Sequence, residues 1–300
     1  MKRVLIAGGS GQIGKYLSNR LLEKGYSVSL LSRKKLLIDE IPTYLWDVEK
    51  KRIDYEAIKT ADYIINLSGA NIGEKRWSSK RKKEILNSRV ESNKLLFDKV
   101  KELNINLNAF ITASAVGYYG VKTSDKIFKE TDNPADDFLG TVCYKWEKES
   151  DSFKDLGIRT VKIRTGVVLN NGPGALSKMM LPIKLFIGSP LGSGKQFVPW
   201  IHIEDLSNLY IKALEDARMN GAYNAVAEEY ITNTELTYAL AKKMNRPIIL
   251  PNVPSFVLRI IMGEMAEIAL EGSRVSSDKL TESGFQFTFR NIESVLNNLI

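Results

Sequence analysis

The 300-residue sequence contains only one cysteine, Cys143, and only one histidine, His202. One cysteine excludes an internal disulfide and a multi-cysteine zinc site, and one histidine argues against a histidine-rich metal centre. No apolar run approaches the roughly 20 residues that are needed to cross a bilayer. The first predicted strand begins at Arg3, which leaves no room for a signal peptide. These absences predict a cytoplasmic protein that binds no structural metal and does not associate with membranes.

The charge of the chain is positive, with a formal net charge of +8 and a pI near 9.3. The densest basic run is KRKK at residues 80–83. Apolar residues recur at helical spacing after this run, which predicts an amphipathic helix over residues 79–103 with a solvated basic side. No stacking aromatic residues are interleaved with the basic ones, which disfavours a nucleic-acid partner. We attribute the charge to attraction of an anionic small molecule.

A short apolar run at residues 4–7 ends in a glycine-rich stretch. Gly9, Gly11 and Gly14 match the dinucleotide fingerprint G-x-G-x-x-G, and Gly8 begins its G-x-x-G-x-x-G variant. Glycine is required where the first turn is tight, where the backbone approaches a pyrophosphate, and where the helix packs on its strand. A helical pattern and a second apolar run follow. The stretch therefore predicts a βαβ unit that binds a dinucleotide.

The end of the second predicted strand distinguishes NAD from NADP. An acidic residue there binds the ribose hydroxyls of NAD, whereas an arginine suits the 2′-phosphate of NADP. Arg33 occupies this position, with Lys34 beside it, while Asp39 and Glu40 lie well past the strand end and are discounted. An exposed basic turn without a ligand is the alternative interpretation. We predict that the cofactor is NADP(H).

Apolar runs predict further strands over residues 43–46, 62–66, 108–112, 159–164 and 223–226. Their alternation with helical patterns predicts an α/β fold, a Rossmann-type doubly wound parallel sheet. We assign residues 1–169 and 200–228 to an NADP-binding domain. Residues 170–199 and 229–300 would form a smaller C-terminal substrate lobe, with an apolar helix over residues 256–269.

Ligands of open parallel sheets bind at the carboxyl ends of the strands. Asp47 follows the predicted third strand, where it would accept a hydrogen bond from the adenine amino group. Small side chains at residues 68–70 would let the cofactor lie close to the backbone. The full set of predicted cofactor contacts is Gly8, Ser10, Gly11, Gln12, Ile13, Gly14, Arg33, Asp47, Val48, Ser68, Gly69, Ala70, Arg89, Thr112 and Arg164.

The order of these motifs resembles the extended short-chain dehydrogenase/reductases, which include the nucleotide-sugar epimerases. The resemblance rests on the glycine motif, on Asp47-Val48, and on residues 68–70, 114–120 and 200–205 (WIHIED). It implies the Rossmann fold and a nicotinamide cofactor.

Other segments are similar to one atypical epimerase-like subfamily of the NAD-dependent epimerase/dehydratase superfamily, loosely labelled cell-division inhibitor. These segments are GEKRW at residues 73–77, GYYG at 117–120, PLGSG at 190–194 and the tail over 263–287. The resemblance covers nearly the whole chain and implies a characteristic C-terminal domain. The physiological substrate of that subfamily is undefined.

The resemblance also implies a catalytic tyrosine and lysine at Tyr-x-x-x-Lys spacing, with a serine or threonine nearby. The lysine charge lowers the pKa of the tyrosine acid/base, and the serine polarises the substrate oxygen. Tyr144 and Lys148 have this spacing on the expected helix, and Ser114 follows the predicted fifth strand. Thr112 is the rival of Ser114 for the same role.

A second register of the same helix remains open. Superfamily members usually carry an acidic residue four positions after the lysine. If Glu147 fills that position, the tyrosine and lysine positions fall at Leu139 and Cys143, and neither side chain can perform the chemistry. The subfamily usually lacks the tyrosine–lysine pair at this point.

Candidate substrate contacts lie in two segments. Tyr118 and Tyr119 follow the fifth strand and could donate hydrogen bonds to a substrate, with loop packing as the alternative. Lys195 and Gln196 lie in a glycine-rich segment that faces the substrate in extended family members, with a solvated loop as the alternative. By resemblance, His202 would support the floor of the site rather than transfer a proton.

Three functions fit these observations. The first is an epimerase-like oxidoreductase that moves a hydride between nicotinamide and a carbonyl or alcohol carbon of an unknown small molecule. The second is a protein that senses NADP(H) without turnover. The third is a basic interaction protein that acts on nucleic acid or cell-division partners. The oligomeric state is left open, with a homodimer among the alternatives.

Overall fold

The computed structural model describes residues 1–34 and 41–300. Its strands are β1 (Arg3–Ala7), β2 (Ser27–Ser32), β3 (Thr43–Asp47), β4 (Arg52–Ile53), β5 (Tyr63–Asn66), β6 (Ala109–Ala115), β7 (Ile127–Phe128), β8 (Thr160–Thr165), β9 (Val167–Leu169), β10 (Trp200–His202), β11 (Gly221–Ala225) and β12 (Arg274–Val275). Its helices are α1 (Gln12–Glu23), α2 (Tyr55–Lys59), α3 (Ser79–Glu102), α4 (Phe138–Asp151), α5 (Ala175–Lys184), α6 (Ile203–Glu215), α7 (Asn233–Lys243), α8 (Ser255–Met262), α9 (Glu267–Leu270), α10 (Asp278–Glu282) and α11 (Ile292–Leu299).

The main sheet has eight strands in the order β11-β8-β6-β5-β1-β2-β3-β4. The pairs are parallel except β3 with β4, which is antiparallel. The chain builds the sheet outward in one direction from β1 through β4 and in the other from β5 through β11. This is the doubly wound Rossmann order, so the predicted fold class is confirmed.

Helices cover both faces of the sheet because the central strands are apolar on both sides. Val4 and Ile6 of β1 pack with Leu21 of α1 in one core cluster, which also holds side chains of α6. Leu5 points to the opposite face and packs with Leu96 of α3. The alternation along a strand thus places successive residues in different cores.

A third core cluster lies outside the sheet, where α5, α7 and α11 pack around the fully buried Trp200. Its placement agrees with the predicted smaller lobe, although the division into domains stays a prediction. Leu280, Phe285 and Phe287, which we assigned to that lobe, pack instead with the core of the sheet. The predicted continuous helix over 256–269 is wrong, because Gly263 has a φ of 62° and ends α8 there.

No helix in the described ranges is long and apolar enough to cross a membrane. Likewise, no group of three His, Cys, Asp or Glu side chains in residues 1–34 and 41–300 is arranged to hold a metal ion.

Candidate functional site

The glycine-rich loop lies at the carboxyl end of β1, beside β5, where the order of the sheet reverses. Gly8 has a φ of 81°, and a Cβ there would lie 2.8 Å from the carbonyl carbon of Leu67. A Cβ on Gly14 would lie 2.5 Å from the Gly8 carbonyl oxygen and 2.6 Å from the Gly9 Cα. Side chains would fill the space around Gly8 and Gly14, which we call the cradle. Glycine is therefore required at both positions for a ligand to approach the backbone.

Helix α1 begins immediately after this loop. Its N-cap is Gly11, which provides no side-chain hydrogen bond to the first turn. The amides of that turn are therefore available to an anion, and the helix dipole favours negative charge there. Ser10 and Gln12 are exposed at this end, while Ile13 is half-buried. The loop and helix terminus together fit the pyrophosphate of a dinucleotide.

The expected adenosine end of the site lies on two neighbouring strands. Arg33 is exposed directly after β2, and Asp47 ends β3, which pairs with β2. The Asp47 Oδ1 accepts a hydrogen bond from the Lys50 amide at 3.0 Å, and 42% of the side chain remains exposed. Val48 packs against the core beneath. The discounted residues Asp39 and Glu40 lie outside the described part of the chain.

Asn66, the last residue of β5, holds the loop that follows it. The fully buried Asn66 Nδ2 donates to Ser92 Oγ at 2.9 Å and to Asn93 Oδ1 at 2.7 Å, both on α3. The Asn66 Oδ1 accepts from the amide and hydroxyl of Ser68 at 3.0 and 2.5 Å. Thr112 is buried and donates to Asn93 at 3.5 Å, so it supports this network. We had not predicted a role for Asn66.

Arg89 of α3 lies against the small residues of the same loop. Its Nη1 donates to the carbonyl oxygens of Ala70 at 3.1 Å and Ile85 at 2.9 Å, and its Cζ lies 5.1 Å from the ring centre of Trp146. A Cβ on Gly69 would lie 3.1 Å from the Arg89 Cζ. Burial lowers the pKa of Arg89. The Arg89 guanidinium group thus lies directly against the loop at the carboxyl end of β5.

The Ser114 hydroxyl is hydrogen-bonded to a buried ion pair and not to the predicted catalytic tyrosine. Its hydroxyl donates to Glu147 Oε1 at 2.7 Å. Arg164 donates to the same carboxylate through Nε at 2.7 Å and Nη2 at 2.9 Å, and both side chains are about 5% exposed, at 4% and 6%. The Ser114 hydroxyl is therefore positioned by a charged pair. Arg164, which we predicted to bind the cofactor, is engaged within this network.

The network continues from Arg164 to the last strand of the sheet. Arg164 Nη1 donates to the Tyr119 hydroxyl at 2.9 Å, and that hydroxyl donates to Asn224 Oδ1 at 2.7 Å. Tyr119 is buried, and burial raises its pKa. Tyr118 is half-buried, and its ring centre lies 3.5 Å from the Arg164 Cζ. Of the two predicted tyrosines, Tyr118 is thus the one that retains access to solvent.

Tyr144 and Lys148 lie on the exposed side of α4, and 45% of Tyr144 is exposed. The structure does not connect them to Ser114 by a hydrogen bond, because Ser114 donates to Glu147. The catalytic pair therefore stays a prediction without support from the contacts.

The buried side of α4 instead carries the residues of the second register, in which Leu139 and Cys143 take the tyrosine and lysine positions. Leu139 and Cys143 face the loop after β6, because a Cβ on Gly117 would lie 3.3 Å from Leu139 Cβ and 3.7 Å from Cys143 Sγ. Burial raises the pKa of the Cys143 thiol to about 12. Neither side chain can exchange a proton at neutral pH.

The predicted substrate contacts of the later segment differ in exposure. Gln196 is 1% exposed, and its Nε2 donates to the carbonyl oxygens of Leu191 at 3.0 Å and Ala269 at 2.8 Å. It therefore ties the glycine-rich segment to the C-terminal part and is not directed at a substrate. Lys195 is exposed. Its role as a substrate contact stays a prediction.

Two contacts join the segment after β9 to the strand-end loops. Gln12 Oε1 accepts from Asn170 Nδ2 at 3.3 Å, which connects the start of α1 to this segment. Lys178 of α5 donates to the carbonyl oxygen of Gly73 at 3.0 Å, beyond the end of β5. The start of α1 and the loop beyond β5 are thus each joined to the segment that contains α5.

His202 is a structural residue of the fold. It is 2% exposed, its Nδ1 accepts from the Glu204 amide at 3.1 Å as the N-cap of α6, and its ring lies 3.8 Å from that of Phe289. Burial lowers the pKa of His202 to about 4, so the ring is neutral at pH 7. The expectation that His202 supports the floor of the site rather than transferring a proton stays a prediction.

This depressed pKa predicts a pH dependence of stability. The unfolded histidine takes up a proton near pH 6.5, whereas the folded one does so only near pH 4, so lowering the pH favours unfolding. We expect the free energy of unfolding to fall by about 2 kcal/mol between pH 7 and pH 5 on this account. Urea unfolding at both values measures it.

His202→Asn is the matched variant, because asparagine also caps helices but does not titrate. Since the chain has no other histidine, the pH 7 to pH 5 loss should largely disappear in this variant. Asp205, whose pKa burial raises, acts in the opposite sense and is common to both proteins. An unchanged pH dependence in His202→Asn would contradict the assignment.

The fold and the site define a Rossmann-type protein with a dinucleotide-binding crevice. The profile of the NAD dependent epimerase/dehydratase family matches residues 4–145, and a domain of unknown function, DUF1731, matches residues 253–299. An epimerase family protein of Staphylococcus aureus is 32% identical over 300 residues, which cover 100% of this chain and 99% of that protein. The epimerase family protein SDR39U1 of Mus musculus is 34% identical over 301 residues, with 99% of each chain covered.

Among solved structures, that of human SDR39U1 (isoform 2) with NADPH superposes with a TM-score of 0.87 at 33% identity, and covers 99% of this chain and 98% of that one. The chain therefore belongs to the NAD dependent epimerase/dehydratase family and carries the DUF1731 domain at its C-terminal end. The predicted family is confirmed.

Proposed function

We propose that this chain binds NADP(H) in the crevice above the glycine loop and acts as an epimerase-like oxidoreductase on a small molecule. The observation that carries the proposal is the cradle of Gly8 and Gly14, closed to side chains and continued by the N-terminus of α1. The exposed Arg33 after β2 supports NADP(H) rather than NAD(H). The human relative solved with NADPH supports the same choice.

The residues of the chain have separate tasks in this proposal. The amides at the start of α1 hold the pyrophosphate, Arg33 pairs with the 2′-phosphate, and Asp47 accepts from the adenine amino group. The bound cofactor supplies or accepts a hydride at its nicotinamide ring. Ser114, whose hydroxyl donates to Glu147, accepts a hydrogen bond from a substrate hydroxyl, and the partly accessible Tyr118 donates a hydrogen bond to the same substrate oxygen.

Arg33→Glu should weaken NADPH binding selectively. A charge-assisted pair between an arginine and a phosphate contributes about 1.5–3 kcal/mol, so we expect the Kd for NADPH to rise about tenfold to a hundredfold. The Kd for NADH, which has no 2′-phosphate, should change less than about threefold. Titration of both nucleotides, followed by fluorescence, gives the four constants.

Arg290→Glu is the control for a change of charge alone, since this arginine is 66% exposed and lies 3.6 Å from Glu228. It should alter neither nucleotide affinity. Wild-type protein that binds NADH as tightly as NADPH would refute the assignment of Arg33. Binding of neither nucleotide would refute the proposed function itself.

A second function, NADP(H) binding without turnover, is favoured by one specific observation. The inward positions of α4 that face the loop after β6 carry Leu139 and Cys143, which cannot transfer protons, while Tyr144 and Lys148 point outward. A protein with an intact cofactor cradle and no acid/base would respond to the NADP(H) redox state by binding alone.

Turnover separates the two functions. Oxidation of NADPH is followed by its absorbance with a panel of aldehydes, ketones and keto-sugars, and reduction of NADP⁺ is followed with the matching alcohols. Turnover that depends on one substrate class supports the oxidoreductase. Tight NADPH binding with no turnover across the panel supports the regulatory function.

A further inference from the structure

The small lobe exposes a group of large apolar side chains, which we call the apolar face. Its six principal members come from the segment after α5, from residues 249–250 and from α8. Each is between 56% and 68% exposed: Leu185, Ile187, Ile249, Phe256, Ile260 and Ile261. Soluble monomers rarely present so many exposed apolar residues on one part of the surface. We therefore expect the apolar face to be covered by a binding partner.

The three segments of the apolar face lie side by side. The Ser189 hydroxyl donates to the carbonyl oxygens of Leu250 at 3.1 Å and Pro251 at 2.5 Å. Leu191 and Val253 pair as a parallel bridge, two residues before α8 begins. The segment after α5 thus runs next to the segment that enters α8, and their exposed side chains belong to one surface.

The charge of these segments has only one sign. Residues 170–199 and 245–263 contain no aspartate or glutamate, but they contain Lys178, Lys184, Lys195, Arg246 and Arg259. The Arg246 Cζ lies 4.5 Å from the ring centre of Phe186, at the border of the apolar face.

The cations at the other border are partly paired. Arg259 pairs with Glu267 at 2.9 Å, and Lys82 pairs with Glu264. Arg76 donates to the carbonyl oxygens of Ile260 and Ile261, which brings a further cation to the end of α8. Two of these cations are thus neutralised by carboxylates, and the net positive charge around the apolar face comes chiefly from Arg76, Lys184 and Arg246.

We propose that the apolar face docks on the surface of an anionic lipid membrane. Side chains that are more than half exposed protrude from the surface, whereas a small-molecule pocket would enclose its ligand. A second copy packed on the apolar face would take the bordering lysine and arginine side chains out of water, whereas an anionic membrane would leave them among charged headgroups. Docking on a membrane would place the apolar side chains at the boundary of the acyl chains and the lysine and arginine side chains at the headgroups. This arrangement accounts for both the exposed apolar side chains and the positive charge around them. The proposal replaces our expectation of no membrane association.

Co-sedimentation of the full chain with vesicles tests the proposal. We expect binding to vesicles of phosphatidylcholine mixed with phosphatidylglycerol, and at least about tenfold weaker binding to phosphatidylcholine alone. Phe256→Ser/Ile260→Ser and Lys184→Glu/Arg246→Glu should each weaken binding to the mixed vesicles by about tenfold or more. Leu45→Ser, which changes a 49% exposed leucine on β3, is the matched control and should bind as wild type.

All five changed side chains are exposed, and circular dichroism is used to check that each of the three variants is folded. No binding of the wild type to mixed vesicles overturns the proposal, as does equal binding by Phe256→Ser/Ile260→Ser. A dimer in size-exclusion chromatography that this variant dissociates, without vesicle binding, would assign the apolar face to a second copy instead.

Discussion

Arg164→Met is expected to lower the free energy of unfolding by about 3–5 kcal/mol, the usual cost of leaving one member of a buried ion pair alone. Arg164 makes both of its carboxylate contacts with Glu147, at 2.7 and 2.9 Å, in a site with almost no solvent. Burial opposes the charge of Arg164, yet the hydrogen bonds to Glu147 outweigh it and its pKa is raised. The pair is thus held in its charged form.

The neighbours of Glu147 cannot replace the lost arginine. Lys162 Nζ lies 4.0 Å from Glu147 Oε2, but it already bonds both oxygens of Asp151 at 2.9 and 3.0 Å. Ser114 offers a single hydroxyl. In Arg164→Met the carboxylate would have to become protonated or to draw water into the core, and either change destabilises the fold.

Urea unfolding of two further variants separates the effect of the unpaired buried charge from the effect of replacing the arginine side chain by methionine. Arg218→Met removes an 86% exposed arginine that pairs with Asp216 at 2.9 Å, and it should leave stability nearly unchanged. Glu147→Met/Arg164→Met removes both charges and should recover at least about half of the loss. A loss below about 1 kcal/mol in Arg164→Met would show that the pair contributes little.

The part of the site that the sequence predicts well is contiguous in the chain. The cradle is built within residues 4–14, where the strand, the glycine turn and the helix start follow one another. Its physical demands are local: a positive φ at Gly8 and close backbone contact at Gly14. Such demands restrict the residue type at each position, and they are therefore visible as a motif.

The side of α4 that faces the sheet was less predictable. The four-residue spacing of Tyr144 and Lys148 shows that they share a face of the helix, but it does not show which face is buried. The full apolar pattern decides this, because Val142, Cys143 and Trp146 form the buried stripe. Helix packing therefore decides which face of α4 is buried, and the catalytic role of Tyr144 and Lys148 stays a prediction.

The network around Ser114 could not be predicted from local pattern. Its hydrogen bonds join residues that are 33, 17 and 105 positions apart: Ser114 with Glu147, Glu147 with Arg164, and Tyr119 with Asn224. The pairing of β6 with β8 and of β8 with β11 places Ser114, Arg164 and Asn224 side by side. The packing of α4 on β6 and β8 adds Glu147. The one available signal was a set of polar residues near the ends of apolar strands, where burial demands partners.

Gly14→Ala should reduce the affinity for the proposed cofactor by about a hundredfold, or nearly 3 kcal/mol. The new Cβ would lie 2.5 Å from the Gly8 carbonyl oxygen and 2.6 Å from the Gly9 Cα. Both are backbone atoms, so no side-chain rotation relieves the clash, and the loop must move away from α1. The cradle for the pyrophosphate and the start of the helix would then no longer act on the same ligand atoms.

The measurement is a titration with NADPH at a temperature at which circular dichroism shows Gly14→Ala to be folded, so that loss of binding does not reflect unfolding. Gly73→Ala is the matched control, because its Cβ would come no closer than 3.8 Å to any atom. It should bind NADPH as tightly as wild type. If Gly14→Ala retains a Kd within about threefold of wild type, the cofactor does not rest on this loop, since a backbone shift there must be felt by a ligand held through the amides of α1.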